Sequence, residues 1–450
     1  MTSTRIVWLR DDLRLADNPA LRAAVDTGDD LVVVYVLDDE SAEVRPLGAA
    51  ARWWLHHSLA ALDASLRDIG GSLVLRRGAA EEVIAALIAQ TDAVAVHWNR
   101  RYGAARELDA RLKTSLKDSG VEVTSYAANL LFEPWEVTTG QGEPFKVFTP
   151  FWRAALDRGV RRSALEAPSA LRCHDIPSDA LDDWGLVPTD PDWAAGFAEH
   201  HTPGEAAAHD RLEHFVHGVL ENYGRRDEPG TEATSGLSPH LRFGEISPLQ
   251  IWDRIHHGVP QAARRTVDKF LSEVGWREFH WSMLFQHPDI ATVNYRREFD
   301  AFAWDSPDPR ELRAWQQGRT GVPLVDAGMR ELWATGTMHN RVRMVCASFL
   351  IKNLLVDWRI GEQWFWDCLV DADEASNPGN WQWVAGSGAD AAPYFRVFNP
   401  VLQQQKFDPD LAYVRRWVPE YGTDAYPEPI VDLAATRKEA LAHYDAMRRS

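Results

Sequence analysis

Between positions 358 and 383 the chain carries Trp358, Trp364, Trp366, Trp381 and Trp383 alongside Asp371, Asp373, Glu374 and Asn377. Indoles stack on flat ligands and relay single electrons, while carboxylates and a carboxamide hydrogen-bond the polar edge of a heteroaromatic ring. With 20 Trp in 450 residues, two readings stand: a helical core packed with tryptophan, or a stacking and electron-transfer site around an aromatic cofactor. Asp371-x-Asp373 has a spacing that a metal could use, but no histidine lies nearby and Glu374 is adjacent rather than spaced, so no metal is expected. Thr234–Ser235–Gly236–Leu237–Ser238–Pro239 offers hydroxyls and backbone N–H groups where a helix is expected to begin. Such an end suits a phosphate, and equally an ordinary N-cap at Ser238 before Pro239. In the helix expected over 270–287, Glu273 and Trp276 share a face, and Glu273 and Arg277 stand four apart. A carboxylate beside an indole can hold a flat polar ligand, or can form an intrahelical ion pair beside a core ring. His339–Asn340–Arg341–Val342–Arg343–Met344 opens another helix with Asn340 and Met344 on one face. The amide can meet donor and acceptor edges of a base-like ring, or cap the helix. No Ser/His/Asp or Cys/His arrangement stands out, and residues 385–388 miss the Gly-x-Ser-x-Gly pattern.

Periodicity indicates the elements that hold these residues. Short Val/Ile-rich runs at 5–9, 31–37, 72–75, 93–98 and 121–126 alternate with helical spacing at 18–25, 49–69, 80–90 and 104–119. That alternation predicts an α/β domain over 1–128, a five-stranded parallel sheet with helices on both faces. After the first strand stands Arg10–Asp11–Asp12–Leu13–Arg14, where a dinucleotide clasp would need Gly-x-Gly-x-x-Gly. Residues 129–203 contain eight prolines and read as a connector, partly ordered. Helical spacing then dominates at 206–221, 248–257, 262–287, 309–317, 324–336, 341–357 and 361–369, so 204–450 is expected to be all-α. No apolar run approaches the roughly 20 residues of a membrane helix, and the first ten residues lack the features of a signal peptide. Cys173, Cys346 and Cys368 are too few and too scattered for a disulfide framework or a Cys-based metal site, which points to a reducing cytoplasm. A net charge of −18 disfavours nucleic-acid binding by the chain as a whole. Arg225–Arg226, Arg264–Arg265, Arg296–Arg297, Arg341 with Arg343 and Arg415–Arg416 nevertheless cluster, leaving room for a local basic face.

Taken in series, the motifs resemble the DNA photolyase/cryptochrome family, and within it the bacterial cyclobutane pyrimidine dimer photolyases. The likeness starts at Ile6–Val7–Trp8–Leu9–Arg10–Asp11–Asp12–Leu13–Arg14–Leu15–Ala16–Asp17–Asn18. It continues through Lys146–Val147–Phe148–Thr149–Pro150–Phe151, Thr234–Ser235–Gly236–Leu237–Ser238, Trp276–Arg277–Glu278–Phe279 and Gly321–Val322–Pro323–Leu324–Val325–Asp326–Ala327–Gly328–Met329–Arg330. It ends with Met338–His339–Asn340–Arg341 and Trp381–Gln382–Trp383. The resemblance implies a U-shaped FAD in the all-α domain, held by Tyr223, Thr234, Ser235, Gly236, Leu237, Ser238, Arg277, Asn340, Arg343, Asp371, Asp373 and Asn377. The 234–238 segment would meet the diphosphate, Arg343 would pair with Asp371 under the ring, and Asn377 would face its redox-active nitrogen. A relay from Trp381 through Trp358 to Trp304 would photoreduce the flavin. Glu273, Trp276, Asn340, Met344 and Trp383 would form the lesion pocket, with Arg226 and Arg341 near DNA.

The chemistry the resemblance implies is light-driven: FADH⁻ gives one electron to a pyrimidine dimer, the ring opens and the electron returns. The dimer must first leave the duplex, photolyases being a named case of enzymes that take a base out of the stack. A second, antenna chromophore, methenyltetrahydrofolate or 8-hydroxy-deazaflavin, is expected in the α/β domain near 97–102. The expected partner is UV-damaged DNA, with no membrane association, and the expected state is a monomer. A (6-4) photolyase would place two histidines where this chain has Asn340 and Met344. A cryptochrome photoreceptor often carries a long polar extension, whereas this chain stops soon after the helix expected over 433–449. Both rank below dimer repair.

Overall fold

In the computed structural model, residues 2–259, 264–392 and 395–449 are described. The Val- and Ile-rich runs near the N-terminus become β1 (Thr4–Leu9), β2 (Asp30–Leu37), β3 (Leu73–Arg77), β4 (Ala95–Asn99) and β5 (Glu122–Tyr126). They form one sheet in the order β3-β2-β1-β4-β5 with every pairing parallel. Alternate side chains leave opposite faces. Val7, Leu9 and Val33 pack under α1 (Pro19–Val25) and α2 (Ala49–Asp68), while Ile6, Trp8 and Val34 pack under α3 (Ala80–Thr91) and α4 (Ala105–Asp118). Both faces are thus covered, as a parallel sheet requires. Strand order reverses between β1 and β4, which opens a crevice at the carboxyl ends of the strands.

The stretch 129–203 is more ordered than its prolines suggest. α5 (Phe148–Arg158) buries Phe148, Phe151, Trp152 and Ala155. The chain then returns along the sheet: Leu31 N–H donates to the Arg172 carbonyl (2.8 Å) and His174 N–H to that of Leu31 (2.9 Å). Backbone pairing and inserted aromatic rings replace the long elements that the prolines forbid.

Beyond residue 204 the named elements are all helical: α6 (Glu205–His214), α7 (Ser238–Phe243), α8 (Pro248–Gly258), α9 (Arg264–Gln286), α10 (Pro309–Gln316), α11 (Pro323–Thr335), α12 (Asn340–Asn353), α13 (Trp358–Cys368), α14 (Ser376–Ala385), α15 (Pro400–Phe407), α16 (Ala412–Trp417) and α17 (Leu433–Met447). Residues 262–263 of the helix expected over 262–287 lie outside the described residues. The helix expected over 206–221 is interrupted after His214 by a π-helical turn (Phe215–Val219) and a 3₁₀ turn (Leu220–Arg225). The change of pitch lets Phe215 and Tyr223 both meet Phe270, at 4.6 and 5.5 Å between ring centroids.

Asn377–Pro378–Gly379–Asn380, which reads as a turn, is the first part of α14. Proline is tolerated there because its missing N–H would have no helical partner. At Gly379 a Cβ would stand 2.9 Å from the His280 imidazole, so the glycine lets α14 lie close on α9.

His280 lies in that contact, and burial pushes its imidazole down from 6.5 to about 4, against a smaller opposing pull from Asp373. Above pH 6.5 the ring is neutral whether the chain is folded or unfolded. Between 6.5 and about 4 the unfolded chain takes up a proton that the folded one refuses. Stability is therefore lost as pH falls through that window, by up to about 1.4 kcal/mol per pH unit. Urea unfolding at pH 7 and pH 5 should show the loss, and His280→Gln should reduce it. An identical pH slope in the variant would contradict this account.

Candidate functional site

α7, α9, α12, α14 and the 3₁₀ turn carrying Tyr223 enclose a cavity of about 250 Å³, which opens into a cleft of about 910 Å³. Tyr223, Ser235, Leu237, Ser238, Glu273, Arg343 and Asp371 line both, so the two form one continuous space. Its size suits a large cofactor with room for a further ligand at the mouth.

One wall is the loop before α7. Arg211 on α6 donates to the carbonyls of Ser235 (2.6 Å) and Thr234 (3.3 Å), and Leu237 is buried as the loop's anchor. Gly236 has φ +67°, and a Cβ there would stand 2.7 Å from Arg211 Nε, so backbone and space both favour glycine. Ser238 is not the N-cap that the sequence allows. Leu237 takes that position with no side-chain cap, and the Ser238 hydroxyl donates instead to Asp371 Oδ2 (2.7 Å). The uncapped N–H groups and the exposed Thr234, Gly236 and Ser238 leave a donor-rich end suited to phosphate oxygens.

Asp371 also accepts from Arg343 Nη2 (2.9 Å). Burial pushes its carboxyl up, but the Arg343 guanidinium and the Ser238 hydroxyl outweigh burial and hold it below the usual carboxylate range. Its other oxygen, Oδ1, is buried without a partner. An unmet buried acceptor costs about 1–3 kcal/mol, which a ligand N–H would recover. Asp373 is spent locally: its Oδ1 accepts the N–H groups of Ala375 (2.8 Å) and Ser376 (2.6 Å) before α14.

Asn377 donates Nδ2 to the carbonyl of Glu362 (3.1 Å) and to its Oε1 (2.8 Å). Glu362, only 1% exposed, is gripped by both terminal nitrogens of Arg45 at 2.7 and 2.8 Å. Because both partners of Nδ2 are acceptors, the amide cannot flip, and Oδ1 is the atom left for the cavity that Asn377 lines. An uncapped helix start, an orphaned carboxylate oxygen and a fixed amide oxygen fit the phosphates and ring edge of a flavin dinucleotide. Glu362 and Arg45 carry no local signal, since they stand 317 positions apart.

At the mouth, the expected pairing of Glu273 with Arg277 is replaced. Glu273 Oε1 accepts from Arg226 Nη2 (2.8 Å) and lies 3.6 Å from Lys269 Nζ. Arg277 turns to the connector and donates to the Asn129 carbonyl (2.9 Å). Asn340 lines the cleft and is exposed. His339, not Asn340, caps α12, its Nδ1 accepting the Arg341 N–H (3.2 Å). Arg341 pairs with Asp227 (2.9 Å), and Met344 packs against the core of α11–α14. Trp276 and Trp383 do not line the cavity. Each stands one turn beyond a residue that does, Glu273 on α9 and Asn380 on α14.

Trp381, Trp358 and Trp304 belong to or pack against one core cluster. Trp381 meets Phe365 edge-on at 4.9 Å and Trp315 at 6.4 Å. Trp358, fully buried, donates its indole N–H to Asn294 Oδ1 (2.9 Å). Trp304 is partly buried beside Phe302, at 4.4 Å.

A second, tighter crevice of about 50 Å³ lies at the carboxyl edge of the sheet, lined by Arg10, Asp11, Tyr35, Arg101, Arg242 and Glu374 among others. Of the stretch 97–102, only Arg101 reaches it. His97 bonds the Tyr126 hydroxyl (2.9 Å), and Trp98 is core.

Arg45→Ala would strand the buried Glu362 carboxylate. Denaturant unfolding should show a loss of about 3 kcal/mol, and Arg45→Ala with Glu362→Gln should recover part of it. A loss below about 1 kcal/mol, the range of an exposed pair, would show the bridge to be dispensable.

Comparison with known proteins agrees with this geometry. Residues 5–169 match the family model described as DNA photolyase, and residues 270–423 the one described as the FAD binding domain of DNA photolyase. The chain is 47% identical to the deoxyribodipyrimidine photo-lyase of Agrobacterium fabrum, covering 100% of this chain and 99% of that protein. A bacterial class III photolyase structure from Agrobacterium tumefaciens superposes with a TM-score of 0.95 at 47% identity, covering 100% of this chain and 98% of the other. An archaeal photolyase from Sulfolobus tokodaii, solved with two FAD molecules that implicate a novel light-harvesting cofactor in that protein, gives a TM-score of 0.84 at 30% identity over 98% of this chain and 100% of that one. A cavity whose lining fits a flavin, family models matched in both halves and full-length likeness converge on one conclusion: this chain belongs to the DNA photolyase family and carries that family's FAD-binding domain.

Proposed function

We propose that this protein repairs cyclobutane pyrimidine dimers in DNA under light. The observation that carries the reading is Glu273, which lines both the smaller cavity and the wider cleft. A base entering the cleft would meet this carboxylate at the border of the flavin cavity. FAD, when bound and reduced, supplies the excited-state electron that opens the dimer ring. The chain's own residues do the rest. Glu273, an acceptor held by Arg226, receives a thymine imide N–H, and Asn340 across the cleft meets a carbonyl. Trp276 and Trp383 stack the extruded bases, at about 1–3 kcal/mol per base. Asp371 and Asn377 hold the flavin edge, and the 234–238 loop binds its diphosphate. Trp381, Trp358 and Trp304 relay electrons inward from the surface. Arg226 and Arg341 neutralise phosphates, so binding weakens as salt rises despite the net charge of −18.

Asn340 and Met344 offer no acid where the (6-4) reaction would need histidine, which favours the dimer chemistry. The α/β domain, residues 1–128, carries the antenna chromophore, and 129–203 connects it to the catalytic helices. Three unpaired thiols suit a reducing cytoplasm. Among the described residues no helix is long and apolar enough to cross a membrane.

Glu273→Ala and Trp276→Ala should each lower blue-light repair of a thymine-dimer oligonucleotide by roughly tenfold at subsaturating substrate, the loss of a charged hydrogen bond or one stacked base. Full repair in both variants would remove the lesion pocket. Trp358→Phe should slow photoreduction of oxidised FAD while leaving repair by pre-reduced protein intact. Equal photoreduction rates would remove Trp358 from the relay.

A further inference from the structure

The two indoles assigned to the lesion are gripped by chain segments outside the flavin cavity. Trp276 lies flat on Phe148, ring centroids 3.9 Å apart and planes 11° from parallel. One face of Trp276 is therefore covered, and a base can stack only on the other. Phe148 begins α5, which sits tightly on α9: a Cβ on Gly275 would meet the Trp152 ring at 2.6 Å. Trp383 donates its Nε1–H to the Asp390 carbonyl (3.1 Å). The carboxylate of the same Asp390 accepts the Phe148 N–H over a long 3.4 Å. One residue thus touches one indole directly and the support of the other. Asp390 has φ +53°, a left-handed conformation that Asp tolerates better than most non-glycine residues.

We propose that Asp390 and Phe148 are positioning residues for dimer recognition, a bracket that holds Trp276 and Trp383 in a stacking-ready pose before DNA arrives. The inference rests on the reading of those indoles as the lesion-stacking pair. A ring that can rotate loses side-chain freedom when a base stacks on it; a ring already held does not. The benefit falls on damaged DNA alone, because only an extruded pair reaches the indoles, while phosphate contacts are shared by all DNA.

The test is dark binding of the full-length, FAD-loaded protein to an oligonucleotide bearing one thymine dimer and to its undamaged twin, read by fluorescence anisotropy. Asp390→Gly keeps the left-handed backbone but removes the acceptor for Phe148. Asp390→Asn keeps both, and Phe148→Leu removes the stacked ring. Kd for the dimer should rise roughly tenfold in Asp390→Gly and Phe148→Leu and return to the wild-type value in Asp390→Asn. Binding of the undamaged twin, flavin absorbance and photoreduction rate should not change. Unaltered dimer affinity in Asp390→Gly and Phe148→Leu, or equal weakening for both oligonucleotides, overturns the bracket. Should Phe148→Leu fail to fold, Asp390→Gly against Asp390→Asn decides alone. A wild-type protein with no preference for the dimer removes the lesion pocket and the bracket with it; a preference kept intact by the variants removes the bracket only.

Discussion

A carboxylate inside a protein must be met by donors or opposite charge, and Asp371 imposes that demand on the helical half of this chain. Arg343 comes to it from α12 and Ser238 from the start of α7, while Asp371 itself sits just before α14. Three elements are thereby drawn around one wall of one cavity. The pairing leaves Oδ1 unmet. In a packed core such an oxygen would be a defect, but at the edge of a cofactor cavity it suits a ligand's donor group.

Buried charge also joins the two halves. The turn after β1, which lacks the glycines of a dinucleotide clasp, is an interdomain joint instead. Asp11 accepts from Arg101 and Arg242, both at 2.8 Å, and these guanidiniums overcome burial and hold its carboxyl far below the usual range. Arg14, wholly buried, donates to the carbonyls of Asp17, Gly244 and Ala128. From the helical side, Glu245 accepts from Trp54 and from the Gly204 N–H. Together with the bridge from Arg45 to Glu362, these contacts make the sheet domain a support for the flavin cradle. Breaking one member of such a group leaves its partner charged and unpaired, which costs more than the pair contributes when whole.

The abundance of tryptophan admits both readings that its composition suggests. Trp315, Trp358 and Trp381 are core residues by burial, and they belong to one hydrophobic cluster that also holds Leu369 and Ala372 of the cavity wall. Large rings held rigidly and close meet what core packing asks and what an electron relay would need. The two tryptophans near the mouth differ, being only partly buried and fixed from outside the cavity by Phe148 and Asp390.

Much was legible in the residues themselves. Alternating Val-rich runs and helical spacing were enough to call the five strands and the helical half, because burial on both faces of a sheet and on one face of a helix leaves periodic marks. The helix start in the 234–239 segment was readable from its hydroxyls and from Pro239, and α7 begins there, at Ser238. Other features were settled only by the folded chain. Glu273 pairs with Arg226 rather than with Arg277 four residues away, Asn377–Pro378–Gly379–Asn380 is helix rather than turn, and the Asn377 amide is oriented by Glu362, which Arg45 holds from the other domain. Spacing along a helix says which side chains can meet; which of several charged partners a buried group takes depends on what the tertiary fold brings within reach, and pairs hundreds of residues apart leave no periodic trace.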